Sequence, residues 1–396
     1  MKIRHFWVLA HRYTGLALTA FLIVVGLSGS MLAFFKELDT AINPGFFVSA
    51  QSGKPVDPAN LLETAENLDS AVRADAAWIG DTAAIVTVSP RSAAPAAYDQ
   101  LIFNPYNGEL LGRRSSTDLS HGIDNLMPFI YRLHYALALD ELGGWILGVS
   151  ALLWTLDCFV GFYLTLPATG SHRAAHNPPG KSYRRRWQAA WLVKWSASGT
   201  RINYDLHRAG GLWFWPMLLI FAWSSVYMNL SGVYDKLMKS LGEYHQPWTD
   251  FPDLPQPLQQ GRIGWRQARE IAESALNRLS LEQGIIVHGP SGFWINRAKG
   301  FYVYDVRSSA DIQERGGNTR VVVDAENGSV KQVLLATGQY SGNTITSWLL
   351  ALHTANIWGM PYKILVCLLG MAITMLSLTG LLIWLKKRRR HRSPLS

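Results

Sequence analysis

Four stretches of the chain are predominantly apolar: roughly Tyr13 to Phe35, Trp145 to Leu166, Gly211 to Leu230 and Pro361 to Leu385. Each reaches the length of about 20 residues that a helix needs to cross a hydrocarbon core of ~30 Å. Between the first and second runs, and again between the third and fourth, polar positions return and the period changes. Pro58 to Val72 and Trp265 to Leu279 have helical spacing. Ala84-Ile-Val-Thr-Val, Gln100-Leu-Ile-Phe, Gly300-Phe-Tyr-Val-Tyr-Asp-Val-Arg and Thr319-Arg-Val-Val-Val-Asp have strand character, with turns at Asn107-Gly108 and Asn327-Gly328.

The elements come in two copies. The first run opens with His11-Arg12-Tyr13-Thr14-Gly15-Leu16 and the third with His207-Arg208-Ala209-Gly210-Gly211-Leu212, a shared H-R-x-x-G-L. Leu133-His134 and Leu352-His353 introduce the second and fourth runs, and a glycine follows each histidine at +27, Gly161 and Gly380. A repeat of this kind decides the architecture before any motif is weighed. The predicted fold is an α-helical membrane bundle of four main transmembrane helices in two tandem repeats, carrying two small α+β modules. Its order is a first span (1–35), a module (36–130), a His-bearing segment with the second span (131–167), and a basic loop (168–206). A third span (207–230), a second module (231–345), a second His-bearing segment with the fourth span (346–385) and a basic tail (386–396) follow.

Charge orients this plan. The hydrophobic share of 48% and charged share of 16% are too apolar for an ordinary soluble enzyme and too polar for an all-membrane chain. The segments on one side, 1–12, 168–208 and 386–396, hold 17 Lys and Arg against one acid, Asp205. That bias predicts an inner-membrane protein with both termini cytoplasmic and both modules periplasmic. The net charge of +9 is then a topology signal and no sign of nucleic-acid binding. The first run is longer than a signal-peptide core and is read as a retained helix. Cys158 and Cys367 fall inside spans and imply neither a disulfide framework nor a thiolate metal site. Trp187, Trp191 and Trp195, at i, i+4 and i+8 beside Arg184 to Arg186, predict one helical face suited to the lipid interface or, failing that, to an acidic partner. The 246–264 linker is rich in proline and is expected to be irregular.

Polar groups at a membrane bundle are costly and carry a functional prior. Of eleven histidines, His11 and His207 stand near the cytoplasmic ends of spans one and three, and His134 and His353 near the far ends of spans two and four. Neutral imidazole is a good axial donor to iron, and two pairs at two depths make room for two b-type haems. Gly15 and Gly211 lie four residues after His11 and His207, on the same helical face, where a missing side chain admits a flat macrocycle. Arg12 and Arg208 are the candidate partners of haem propionates. Zinc is disfavoured, because no carboxylate or cysteine stands at ligand spacing. Asp157 is the one acid well inside a span, with Leu376 at its repeat-equivalent place; a proton-handling role, an arginine partner and a simple buried hydrogen bond all remain open for it. The aromatic run Trp213, Phe214, Trp215, Phe221, Trp223 suits a porphyrin wall or ordinary membrane packing equally.

The H-R-x-x-G-L openings, Leu133-His134, Leu352-His353 and Phe103-Asn-Pro-Tyr-Asn-Gly-Glu-Leu-Leu-Gly together resemble the PepSY-associated transmembrane proteins, often called iron-regulated membrane proteins. The resemblance covers nearly the whole chain and makes the modules PepSY-like. Val323-Asp-Ala-Glu-Asn-Gly-Ser-Val departs from the usual ending of such a module. Within that family the nearest functional model is the ferrisiderophore reductase of the FoxB type, a dihaem protein of the inner membrane. The resemblance implies that the four histidines are haem ligands and that a ferric siderophore is the substrate; matched depth, not the family, pairs His11 with His207 on the cytoplasmic side and His134 with His353 on the periplasmic side. No Rossmann signature is present, so the donor is expected to be a quinol or a separate cytoplasmic reductase. A non-enzymatic sensor or scaffold anchored by four helices is the rival expectation, and a repeat-built transporter a weaker one.

Overall fold

The computed structural model describes residues 2–92, 96–116, 118–167 and 182–392. The chain forms two compact units: 1–33, 131–231 and 360–396 make one, and 34–130 with 232–359 the other. The cytoplasmic loop expected at 168–206 lies partly outside the described residues.

The first unit is the helical bundle. Helix α1 runs Lys2–Leu32, the short α2 (Phe35–Ile42) and α3 (Pro58–Leu68) belong to the other unit, and α4 (Leu126–Ala136) leads into α5 (Asp140–Thr165). After α6 (Tyr183–Gln188) come α7 (Gly199–Trp213) and α8 (Trp215–Asn229). The second unit takes α9 (Ser231–Leu241), α10 (Trp265–Gln283) and α11 (Ser341–His353), and α12 (Gly359–Arg392) closes the bundle. Three of these helices, α1, α5 and α12, are long and apolar enough to span a membrane, and α7 with α8 forms a fourth candidate broken by a 68° bend. The expected third span is therefore two helices. Pro216 stands in the first turn of α8; it has no N–H to give the preceding turn, and its ring excludes the carbonyl four residues back, so the helix breaks at Phe214.

Small residues set the closest crossing. A Cβ on Gly26 of α1 would lie 2.7 Å from the Gly370 carbonyl of α12, and one on Gly370 would lie 2.3 Å from Ser30 Oγ. Ser30 donates across to the Cys367 carbonyl at 2.9 Å. Gly26 with Ser30 and Gly370 with Thr374 are small residues one helical turn apart on each side, the pattern by which membrane helices approach backbone to backbone. Cys158 and Cys367 are free thiols. Trp215 of α8 donates to the Cys158 carbonyl of α5 at 2.9 Å and packs on Phe159 and Phe162, so the aromatic run is split between two helices and part of it seals α8 onto α5. The three-tryptophan face is also corrected. Helix α6 ends at Gln188, a 3₁₀ turn covers Ala189–Trp191, and Trp195 lies beyond both. Trp187 and Trp191 meet at 5.5 Å, and Trp187 donates to Thr165 Oγ1, which anchors this segment on α5.

The second unit is an eight-stranded antiparallel sheet of order β4-β3-β2-β1-β5-β6-β7-β8. Its strands are β1 (Val72–Ile79), β2 (Ala84–Pro90), β3 (Gln100–Phe103), β4 (Leu110–Arg114), β5 (Val287–Asn296), β6 (Phe301–Ser308), β7 (Thr319–Asp324) and β8 (Val330–Leu334). The two expected modules are thus halves of one sheet, joined where Ala76, Ala77 and Trp78 of β1 face Trp294, Phe293 and Gly292 of β5. Each half alone would leave an open backbone edge, and pairing the two edges satisfies both. Helices α3 and α10 cover one face, where Leu61, Leu62, Ala268, Ala272 and Leu276 pack with Val86, Phe293, Tyr302 and Tyr304 in a common core. The first helix stops at Leu68, short of the expected Val72, because Val72 begins β1. Asp57 caps α3 by accepting from the Ala59 amide, with Pro58 in the first turn.

Candidate functional site

His11 and His207 come together inside the bundle. Their ring centroids are 6.1 Å apart, with the planes 52° from parallel. A metal held between two imidazole nitrogens spaces the rings by roughly 6 Å, the sum of two metal–nitrogen bonds of about 2 Å and two ring radii of about 1.1 Å. The observed spacing matches that sum and also lies within the range of an ordinary aromatic contact.

Each ring is oriented by the second long helix of its own repeat. His11 Nδ1 lies 2.9 and 3.0 Å from the two carboxylate oxygens of Asp157 on α5. His207 Nδ1 lies 3.0 Å from the Leu376 carbonyl and 3.2 Å from Thr379 Oγ1 on α12. A carbonyl or carboxylate at Nδ1 accepts the ring N–H, places the proton there, and leaves the Nε2 lone pair to coordinate. Leu376 stands at the repeat position of Asp157, so a backbone oxygen in one half does what a carboxylate does in the other. Asp157, whose role the residues alone left open, is the orienting partner of His11.

The glycines at +27 acquire a role that their spacing did not reveal. A Cβ on Gly161 would stand 3.4 Å from His11 Cε1, and one on Gly380 3.1 Å from His207 Cε1. They are the seats on which the rings of the other histidine pair rest. In contrast, Gly15 and Gly211 face open space, with nothing within 4 Å of a would-be Cβ. Space beside both ligand-bearing helices is what a planar macrocycle requires. Among the described residues no group of three or more His, Cys, Asp or Glu converges. Were a metal held between His11 and His207, a haem, which brings ring nitrogens of its own, would fit these two residues better than a bare ion.

His134 is placed by the first repeat as well. Its Nδ1 lies 3.0 Å from Ser28 Oγ on α1, and Ser28 directs its own proton to the Val24 carbonyl at 2.7 Å. A Cβ on Gly29 would lie 2.9 Å from His134 Cε1. The Ser28-Gly29 dipeptide, a hydroxyl and a missing side chain near the far end of α1, is the sequence signal for this seat. Just past His134 the chain turns through Leu137, Ala138 and Asp140, all with φ between 51° and 56°. Residues with side chains rarely occupy that region, and such strain gathers at functional corners. His353 ends α11 in the sheet unit, followed by left-handed Ala355 and Trp358.

The two arginines differ. Arg208 is committed to Asp205 at 2.9 Å and to the Ala189 carbonyl at 2.5 Å, tying α7 to the preceding segment. Arg12 makes no hydrogen bond or ion pair among the described residues and is the better candidate for an anionic group.

The family model for the PepSY-associated TM region matches residues 8–387, almost the full length. The chain belongs to that family. No curated protein matches it. For this PepSY-associated membrane protein the match spans both repeats, all four histidines and both halves of the sheet.

Proposed function

We propose that the chain is a dihaem reductase of the bacterial inner membrane that passes electrons to ferric siderophores on the periplasmic side and so releases Fe(II). The observation that carries the reading is the 6.1 Å approach of His11 and His207, each with its Nδ1 satisfied by an oxygen acceptor. Haem, when bound, supplies a one-electron carrier. The protein's part is to hold and orient it. The His11 and His207 rings stand 6.1 Å apart, a spacing two axial ligands would need, Asp157, Leu376 and Thr379 hold the rings, and Gly15 and Gly211 clear space beside them. Arg12 offers a cation to a carboxylate at the same depth.

A second b-type haem rests on the repeat, which makes His134 and His353 counterparts, and on the oriented ring of His134. His11 and Ser28 are separated along continuous α1 by roughly 25 Å at 1.5 Å per residue, most of a hydrocarbon core of ~30 Å. Positive charge on segments 1–12 and 386–396 supports a cytoplasmic position for both termini and for the His11 site. The electron donor on that side is a quinol or a separate reductase. Iron(II), of lower charge density than iron(III), is held less tightly by the hard oxygen donors of a chelator.

The test is the visible spectrum of detergent-purified protein, oxidised and dithionite-reduced, with a pyridine haemochrome assay. Two b-type haems per chain are expected, with loss of about half in His11→Ala or His207→Ala. A colourless protein after expression with ample haem sinks the reductase reading and leaves a membrane-anchored scaffold.

A further inference from the structure

The polar partners of the oriented histidines are not alike. His11 Nδ1 donates to a carboxylate, Asp157, and His207 Nδ1 to a backbone carbonyl beside a threonine hydroxyl, whereas the His134 ring meets the hydroxyl of Ser28 at Nδ1 and hydrogen-bonds the Val25 backbone. Asp157 approaches with both oxygens, and its side chain is 12% exposed against 32% for His11, so the carboxylate is the more shielded member of the pair. A carboxylate pulls the Nδ1 proton toward itself and gives the ring imidazolate character, which makes Nε2 the stronger donor and favours the oxidised metal. A hydroxyl does this far less.

We infer that Asp157 is a positioning residue that lowers the reduction potential of the His11/His207 site below that of the site served by His134. The partners of the histidines thereby set the direction of electron flow, from the end of α1 that carries His11 toward the end that carries Ser28. The asymmetry lies within a duplicated scaffold: the equivalent of Asp157 in the second repeat is Leu376, and only one ligand of the pair has a charged partner. One acid per chain is sufficient, since the two histidines act on the same metal. The inference rests on the dihaem reading above.

The test is a potentiometric titration of the purified, haem-loaded protein followed in the visible bands, for wild type, Asp157→Asn and His134→Ala. Asparagine keeps an acceptor oxygen for Nδ1–H and removes the charge. Two resolved steps are expected in wild type, with the lower one surviving in His134→Ala. In Asp157→Asn the lower step moves up toward the higher one. Potentials in Asp157→Asn that match wild type overturn the inference, as does loss of the lower step in His134→Ala. Should Asp157→Asn fail to accumulate, Asp157→Ser takes its place, with the same upward shift of the lower step expected and unchanged potentials overturning the inference. Haem-free wild-type protein instead removes the dihaem reading itself, and the two failures are told apart by colour alone.

Discussion

The two repeats share a fold but not their buried charges. In the first, Asp39 accepts from Arg114 Nη1 at 3.0 and 3.1 Å and from Asn43 at 2.8 Å, with both charged side chains almost fully buried. In the second, Asp235 stands 196 residues on, the spacing that separates His11 from His207. It is just as buried, yet neither of its oxygens meets a donor in hydrogen-bond geometry among the described residues. The register explains why. Arg114 faces Gln100 across β4 and β3, and the matching pair on β8 and β7 is Leu334 facing Arg320. The arginine has moved one strand over and lies 3.1 Å from Asp305 instead. Asp157 and Leu376 repeat the lesson within the bundle. A duplicated scaffold keeps its shape through apolar packing, while a buried charge persists as an ion only where its partner persists with it.

The largest effect is expected on breaking the closed pair. Arg114→Leu, which copies the second repeat, should leave Asp39 buried and uncompensated at a cost of about 3–5 kcal/mol. Denaturant unfolding followed by sheet circular dichroism should show it, and adding Asp39→Leu should recover most of the loss. An Arg114→Leu protein as stable as wild type would erase the contrast between the repeats.

The ring seats come next. A methyl on Gly380 meets His207 at 3.1 Å, and one on Gly161 meets His11 at 3.4 Å. Gly380→Ala should therefore cost about 1–3 kcal/mol of overpacking and lower haem per chain, whereas Gly161→Ala should be nearly silent. Equal haem loss in both would mean that the seats are not distinguished by their clearance.

The smallest effect belongs to Asp235. Burial pushes its pKa up, and the nearby hydroxyls of Thr249 and Tyr244 and the Lys239 ammonium offset this only in part. A carboxyl whose folded pKa is raised adds stability at pH below its ordinary value near 3.8, and that stability is lost as pH rises through the folded pKa. Asp235→Asn should remove this dependence and change stability at neutral pH by no more than about 1 kcal/mol, in the stabilising direction. Thermal melts of both proteins from pH 4 to 7 check it; parallel curves would show that Asp235 is ionised and paired after all.

Much of this was legible in the residues. Three apolar runs became continuous helices, and the third run in chain order broke beside Pro216, a residue plainly visible in it. The strands around Asn107-Gly108 and Asn327-Gly328 form as hairpins. β1 and β5, of eight and ten residues, carry weak strand signals, because β1 is rich in alanine and β5 is interrupted by Gly289, Pro290 and Gly292. Asp157 stood out as an acid within a span, but its partner His11 is 146 residues away and no local period connects them. The pairs Ser28-Gly29 and Thr379-Gly380 were passed over because serine, threonine and glycine are ordinary in membrane helices.

By itself the sequence determined what depends on neighbours along the chain: where helices are apolar enough to enter a membrane, which side carries positive charge, that one unit is written twice, and where the histidines recur. The tertiary structure alone decided how closely His11 and His207 approach, which oxygens hold their rings, which glycines lie beneath them, and that two modules share one sheet. Hydropathy and periodicity are local quantities, whereas the 6.1 Å gap between His11 and His207 is set by how α1, α5, α7 and α12 pack. That packing turns on a few small residues whose function appears only when another helix lies against them.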